Sequence, residues 1–193
     1  MKPEILLNDK TGRILHYPQW NEDWFNLFNS LKQKVDWKSR DLTMFGKQFL
    51  IPRLEAWVGD PGMRYCYSGK EYIAECWPLP LRSVISRLED EFQWRPNAAL
   101  LNRYRNGGDS VSFHADDERE LGSNPTIAIL SLGGARNLSF KPKSGCAKNF
   151  KVCLLPGSLL WMDGALQTHW LHAINKVKSA EERISCTFRQ ILV

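Results

Sequence analysis

The chain has 193 residues, 43% of them hydrophobic and 24% charged, the composition of one globular domain rather than a disordered or fibrous chain. No apolar run approaches the roughly 18 residues that read as a membrane span, and the opening MKPEILLNDK carries Lys2, Glu4, Asp9 and Lys10 where a secretory signal would hold an apolar core. The formal net charge of +5 favours polyanionic partners without identifying one.

In chain order, the first expected element is a helix capped by Asn21, with Glu22 and Asp23 in its first turn and Trp24, Phe25, Phe28, Leu31 and Val35 as its apolar stripe. Residues 41–78 are rich in aromatics, Pro, Gly and basic side chains and read as irregular loops and hairpins, the usual carriers of a recognition surface. A second helix begins at Pro80 and turns Val84, Ile85, Leu88 and Phe92 to one face. From about residue 98 the pattern changes to short strands: Ala98–Tyr104, Val111–His114, Thr126–Leu132, Asn137–Phe140, Phe150–Leu155, Ser158–Met162 and Arg183–Val193. Gly- and Pro-containing turns separate them, which predicts a β-sandwich or barrel buttressed by the helices. The five cysteines show no zinc or redox spacing and read as small buried or semi-buried thiols of a reducing compartment; the expected location is the cytoplasm, or the nucleus in a eukaryote. Most of the eight tryptophans belong to the core, and a few on a basic surface would stack on nucleobases.

Chemistry enters at His114-Ala115-Asp116. Strand residues two apart face the same way, so an imidazole and a carboxylate can converge on one metal ion if a second histidine joins them from a later strand. His169 and His172 are the candidates; three apart in an extended segment, they face opposite sides, and one of them can enter the site. Two histidines and one carboxylate with open positions suit non-haem Fe(II). In the last strand Arg183, Ser185, Thr187 and Arg189 alternate with Ile184, Cys186 and Phe188. The polar face is either solvated or turned into a barrel, and inside a barrel two guanidiniums call for a dianion such as a dicarboxylate.

The succession of Leu101-Asn102-Arg103-Tyr104, His114-x-Asp116-Asp117-Glu118, His172, and Arg183 followed by Thr187-Phe188-Arg189 resembles the AlkB family of Fe(II)/2-oxoglutarate dioxygenases. The likeness covers about residues 40–193. It implies an α+β, mainly β fold: a double-stranded β-helix (jelly roll) buttressed by N-terminal helices. It divides one domain into an N-terminal extension and helix (1–40), a nucleotide-recognition lid (41–78), a supporting helix (79–97) and the catalytic core (98–193).

By the same resemblance His114, Asp116 and His172 would hold iron, leaving His169 structural. Asn102, Tyr104, Arg183 and Arg189 would bind 2-oxoglutarate, and O2 would be the third reactant. Ser185 stands where the family usually has an asparagine. In the lid, Tyr65 and Tyr67 would contact the target base, Asp117 would face its exocyclic amine, and Phe45 in Met44-Phe45-Gly46-Lys47 would act as a wedge. Arg53, with Lys38, Arg40, Lys47, Arg64 and Lys70, would meet phosphates. The implied activity is oxidative demethylation of 1-methyladenine and 3-methylcytosine in DNA by a monomeric enzyme, with nucleic acid as partner and no membrane. The alternatives are RNA or tRNA, a protein side chain, or a catalytically silent nucleic-acid-binding module.

Overall fold

Which faces of the central strands are covered decides this architecture. The computed structural model describes residues 2–192 apart from 45–46, 68–69 and 146, and for 42–48 and 65–72 it describes at most the backbone. An N-terminal hairpin, β1 (Glu4–Asp9) and β2 (Gly12–Tyr17), precedes helix α1 (Trp24–Lys34). Then come the hairpin β3 (Asp41–Met44) and β4 (Lys47–Leu50), strand β5 (Leu54–Gly59), the hairpin β6 (Arg64–Tyr67) and β7 (Lys70–Ile73), β8 (Glu75–Cys76) and helix α2 (Arg82–Phe92). The remainder is β9 (Ala98–Tyr104), β10 (Val111–His114), β11 (Ile127–Gly133), β12 (Arg136–Pro142), β13 (Phe150–Leu154), β14 (Leu159–Asp163), the short helix α3 (Leu166–His169), β15 (Trp170–Ile174) and β16 (Arg183–Arg189).

Two sheets face each other in the jelly-roll manner. The larger runs β1-β2-β14-β11-β16-β9-β5-β8 and the smaller β10-β15-β12-β13. On the far side of the larger sheet, Leu27, Leu31, Val84, Ile85 and Leu88 of α1 and α2 pack on Leu130, Leu132, Ile184, Cys186 and Phe188. On its near side Ile127, Ile129, Leu160 and Met162 meet Leu138, Phe140, Trp170 and Ile174. Strands β11, β14 and β16 are therefore buried on both faces, which is why β11 and β14 read as continuous apolar runs. No helix among the described residues is long and apolar enough to cross a membrane.

Several expectations change. Asp23, not Asn21, precedes α1, and the buried positions of that helix are Leu27 and Leu31, whereas Phe25 is 60% exposed. The large sheet takes β1, β2, β5 and β8 from upstream of residue 98. β5 is a buried core strand inside a segment expected to be irregular, while two hairpins do occupy the rest of it. Strand β15 is absent from the sequence-derived strands because Trp170-Leu-His-Ala-Ile174 follows α3 without a turn signal. Cys76 and Cys153 are exposed and Cys186 is buried, so burial holds for one of the three described thiols, and it pushes the Cys186 thiol up to about 12. No tryptophan is exposed; all eight lie in or against the core, so the surface stacking platforms are not tryptophans. Leu31→Ala should cost about 2–5 kcal/mol in denaturant unfolding, whereas Phe25→Ala should stay within about 0.5 kcal/mol.

Candidate metal centre and co-substrate cavity

β10 and β15 pair antiparallel with His114 directly opposite His172, their rings 4.3 Å apart between centroids. Asp116 follows β10 in the loop that closes over this pair. The ligand atoms of His114, Asp116 and His172 all lie within 4.8 Å of one another. His114 Nδ1 sits 2.8 Å from the Ser112 carbonyl; assigned as the donor of that bond, it leaves Nε2 as the free lone pair. His172 is buried and lies opposite Phe140 of β12.

Asp116 is 1% exposed. Its Oδ1 accepts from Arg189 Nη2 at 2.6 Å, and its Oδ2, 3.8 Å from His172 Nε2, has no hydrogen-bond partner among the described residues. Burial alone would raise its pKa, but the Arg189 guanidinium and the two imidazoles outweigh burial and bring the carboxyl down to about 2. Burial lowers His172 to about 3, with His114 and Arg189 adding to the effect and Asp116 opposing it. At neutral pH the pair is thus a carboxylate and a neutral imidazole, the forms that ligate a metal.

All seven residues of β16 are buried. The strand lies between β11 and β9 in the large sheet, so its polar face turns inward because the helices cover the other one. Arg183, Ser185, Thr187 and Arg189 line a cavity together with His114, Asp116 and His172. Asn102, Tyr104, Arg53, Glu118 and apolar residues including Ile129, Leu138 and Leu154 complete it. Arg183 is 1% exposed; its Nη2 donates to Ser131 Oγ at 2.8 Å and its guanidinium lies 5.2 Å from the Tyr104 ring centroid. Its Nε and Nη1 are buried donors with no hydrogen-bond partner among the described residues.

These orphaned atoms test the fit of the implied groups. An unpartnered carboxylate oxygen beside two imidazoles makes an N, N, O donor set open on one side, which suits Fe(II). Two adjacent unpartnered donors on a buried guanidinium suit a carboxylate taken in bidentate fashion. Both groups fit.

Other expected site residues fall differently. Arg53 does not join the basic surface: it is buried, donates from Nε to Asn102 Oδ1 at 2.8 Å and from Nη1 to the Ser110 carbonyl at 3.1 Å, and pairs through Nη2 with Glu55 at 2.6 Å. A phosphate contact by Arg53 is thereby corrected, because its charge is matched inside the fold. Asn102, held at Oδ1 by Arg53, lines the cavity. Lys38 is engaged with Glu75. Asp117 is an exposed residue paired with Lys143 at 3.0 Å, while the neighbouring Glu118 lines the cavity. His169 is exposed at the end of α3. Phe45 lies outside the described residues, as do the side chains of Tyr65 and Tyr67. Three site residues were not among those expected: Ser131, Glu118 and Gln167, which accepts from the Asp116 N–H at 2.9 Å. Ser131 had a signal, as the one hydroxyl in the apolar run of β11 on the same face as Ile127 and Ile129.

A His-Asp-His cluster facing a buried arginine across the interior of a jelly roll defines the class of non-haem iron oxygenases that consume a dicarboxylate. Comparison with known proteins agrees. The model of the 2OG-Fe(II) oxygenase superfamily matches residues 13–189. The DNA oxidative demethylase ALKBH2 of Mus musculus is 33% identical over 177 residues, covering 86% of this chain and 74% of that protein. The alpha-ketoglutarate-dependent dioxygenase alkB homolog 3 of Homo sapiens is 34% identical over 193 residues, covering 93% of this chain and 66% of that protein. The solved structure of OsALKBH1 shares the fold at a TM-score of 0.64 and 14% identity, over 97% of this chain and 100% of that one. The chain belongs to the 2OG-Fe(II) oxygenase superfamily and, within it, to the AlkB family. It is an Fe(II)- and 2-oxoglutarate-dependent dioxygenase.

Saturating 2-oxoglutarate with Mn(II) should raise the melting temperature of the wild-type protein, by the equivalent of about 2.7 kcal/mol at a hundredfold excess over Kd. Arg183→Met removes a buried unmatched charge and should leave the unliganded melting temperature no lower, while abolishing the 2-oxoglutarate-dependent rise. A full rise in that variant would contradict the role of the guanidinium.

Proposed function

We propose that this dioxygenase removes methyl groups from N-alkylated nucleobases in DNA, 1-methyladenine and 3-methylcytosine among them. The observation that carries the reading is the cavity beside the His114-Asp116-His172 cluster, with Glu118 among its lining residues, in a chain related to proteins named as DNA oxidative demethylases. A base methylated at these ring nitrogens is cationic, and a carboxylate in a low-dielectric cavity favours it over the neutral normal base. Asp117, exposed beside Lys143, keeps the role of facing the exocyclic amine in this reading, and Glu118 is the neighbouring carboxylate on the cavity wall.

In this reading His114, Asp116 and His172 hold the iron, with His172 kept neutral by burial. Arg183 takes the far carboxylate of 2-oxoglutarate, supported by Tyr104 and Ser131. Asn102, fixed by Arg53, donates its amide N–H to the co-substrate. Arg189 holds Asp116 at Oδ1 so that Oδ2 stays available to the metal. Bound iron, 2-oxoglutarate and O2 supply the oxidation of the N-methyl carbon, after which the hydroxymethyl group leaves as formaldehyde and restores the base. Apolar side chains such as Ile129, Leu138 and Leu154 keep bulk water out of the cavity. The division into lid, supporting helix and core stands as part of this proposal, with Tyr65 and Tyr67 as the base contacts and Phe45 as the wedge.

The β12–β13 hairpin supports a polyanionic partner. Lys141, Lys143, Lys148 and Lys151 are all exposed there, and the segment from 141 to 151 contains no acid. Such a cluster suits a phosphate backbone.

Formaldehyde release from methylated single-stranded DNA, duplex DNA and RNA tests the reading. Release should require iron and 2-oxoglutarate, appear with at least one DNA substrate, and fall to background in His114→Ala and Asp116→Ala. Release from RNA alone, or from none of the three, would overturn it. Lys148→Ala with Lys151→Ala should weaken DNA binding across sequences and reduce the slope of log K against log salt by about 0.9 for each duplex phosphate no longer neutralised. An unchanged slope would remove the hairpin from the interface.

A further inference from the structure

Asp116 lies two residues beyond the last residue of β10, where no strand ladder fixes its backbone. Its N–H donates to Gln167 Oε1 at 2.9 Å, and both residues are buried. Gln167 stands in α3, five residues before His172. One hydrogen bond therefore ties the loop that carries the carboxylate of the cluster to the segment that delivers its second imidazole.

The N-terminal hairpin braces α3 in turn. Gly12 has φ +135°, and a Cβ there would come within 2.7 Å of the Leu166 backbone N and Cα. Only glycine lets the β1–β2 turn seat so closely against α3. Beside it, Trp170 Nε1 donates to Thr11 Oγ1 at 3.0 Å. Leu166 is buried against this turn, so α3 has little freedom to carry Gln167 elsewhere.

The Gln167 amide has its orientation set by Asp116, since turning it over would set NH2 against N–H. With the oxygen committed, Nε2 is left buried without a hydrogen-bond partner among the described residues. An unmatched buried donor lowers stability. An apolar side chain at this position would remove that donor but leave the Asp116 N–H without its acceptor, so the glutamine exchanges one unmatched donor for another and gains little stability by it.

We infer that Gln167 is a positioning residue that holds the Asp116 loop in its ligating geometry and thereby sets the metal affinity of the protein. The inference rests on the proposed ligand set of His114, Asp116 and His172. Partners that orient metal ligands typically change metal affinity by about 10- to 100-fold, and here the oriented group is the main chain of the only carboxylate in the cluster.

The test is titration of the chelator-stripped full chain with Co(II), followed by its visible absorption, alongside the melting temperature of each metal-free form. Q167L should melt within about 3 °C of wild type, since the orphaned Nε2 that it removes offsets the Asp116 N–H that it leaves unpaired. It should bind Co(II) at least about tenfold more weakly. Q167E keeps an acceptor oxygen for the Asp116 N–H and should stay within about threefold of wild type, well inside the loss typical of a missing ligand-orienting partner. Wild-type cobalt affinity in a folded Q167L overturns the inference, as does Q167E losing as much affinity as Q167L. If Q167L does not fold, a folded Q167E decides: retained affinity supports the role, and a tenfold loss overturns it. D116A separates the two levels. Undiminished cobalt binding by D116A would remove the ligand assignment itself, whereas weaker binding by D116A with wild-type binding by Q167L would remove only the role of Gln167.

Discussion

A strand buried on both faces that nevertheless carries two guanidiniums is the constraint around which this molecule is organised. Ile184, Cys186 and Phe188 of β16 must meet the helices, so Arg183 and Arg189 must point between the sheets. Charges in such a place cost several kcal/mol each unless matched. The two arginines meet this requirement differently. Arg189 is matched within the fold by Asp116, while Arg183 has Ser131 and Tyr104 for company and no acid. In the proposed function that asymmetry would give the far end of the dicarboxylate to Arg183 and the near end to the metal side.

The Asp116 carboxylate joins the two halves of the site. Arg189 occupies one oxygen, the other faces the imidazoles, and Gln167 holds the main chain behind it. The same positive surroundings that keep Asp116 ionised also help burial keep His172 neutral. A cation entering this cluster meets Asp116 and His172 already in their binding forms, so neither has to lose a proton at neutral pH.

Chemistry was more legible in the sequence than connectivity was. His114-x-Asp116 and the alternation of β16 are local patterns, and a period of two residues is enough to state them. Alternation could not say whether the polar face of β16 met water or a cavity, because that depends on the two helices packing on its other side. β5 was hidden because its core position comes from pairing with β9, far along the chain, and β15 because a helix runs straight into it. Arg53 looked like one more basic loop residue; only the fold brings Asn102, Ser110 and Glu55 around its guanidinium. Gln167 had no sequence signal at all, since its partner is a backbone amide 51 positions away.

The account is tested most directly by a crystal structure grown without oxygen in the presence of Mn(II) and 2-oxoglutarate. Anomalous density should appear between His114 Nε2, Asp116 Oδ2 and His172, with the co-substrate's far carboxylate seated on Arg183 Nε and Nη1. A metal bound elsewhere, or a carboxylate that leaves the Arg183 guanidinium bare, would contradict it.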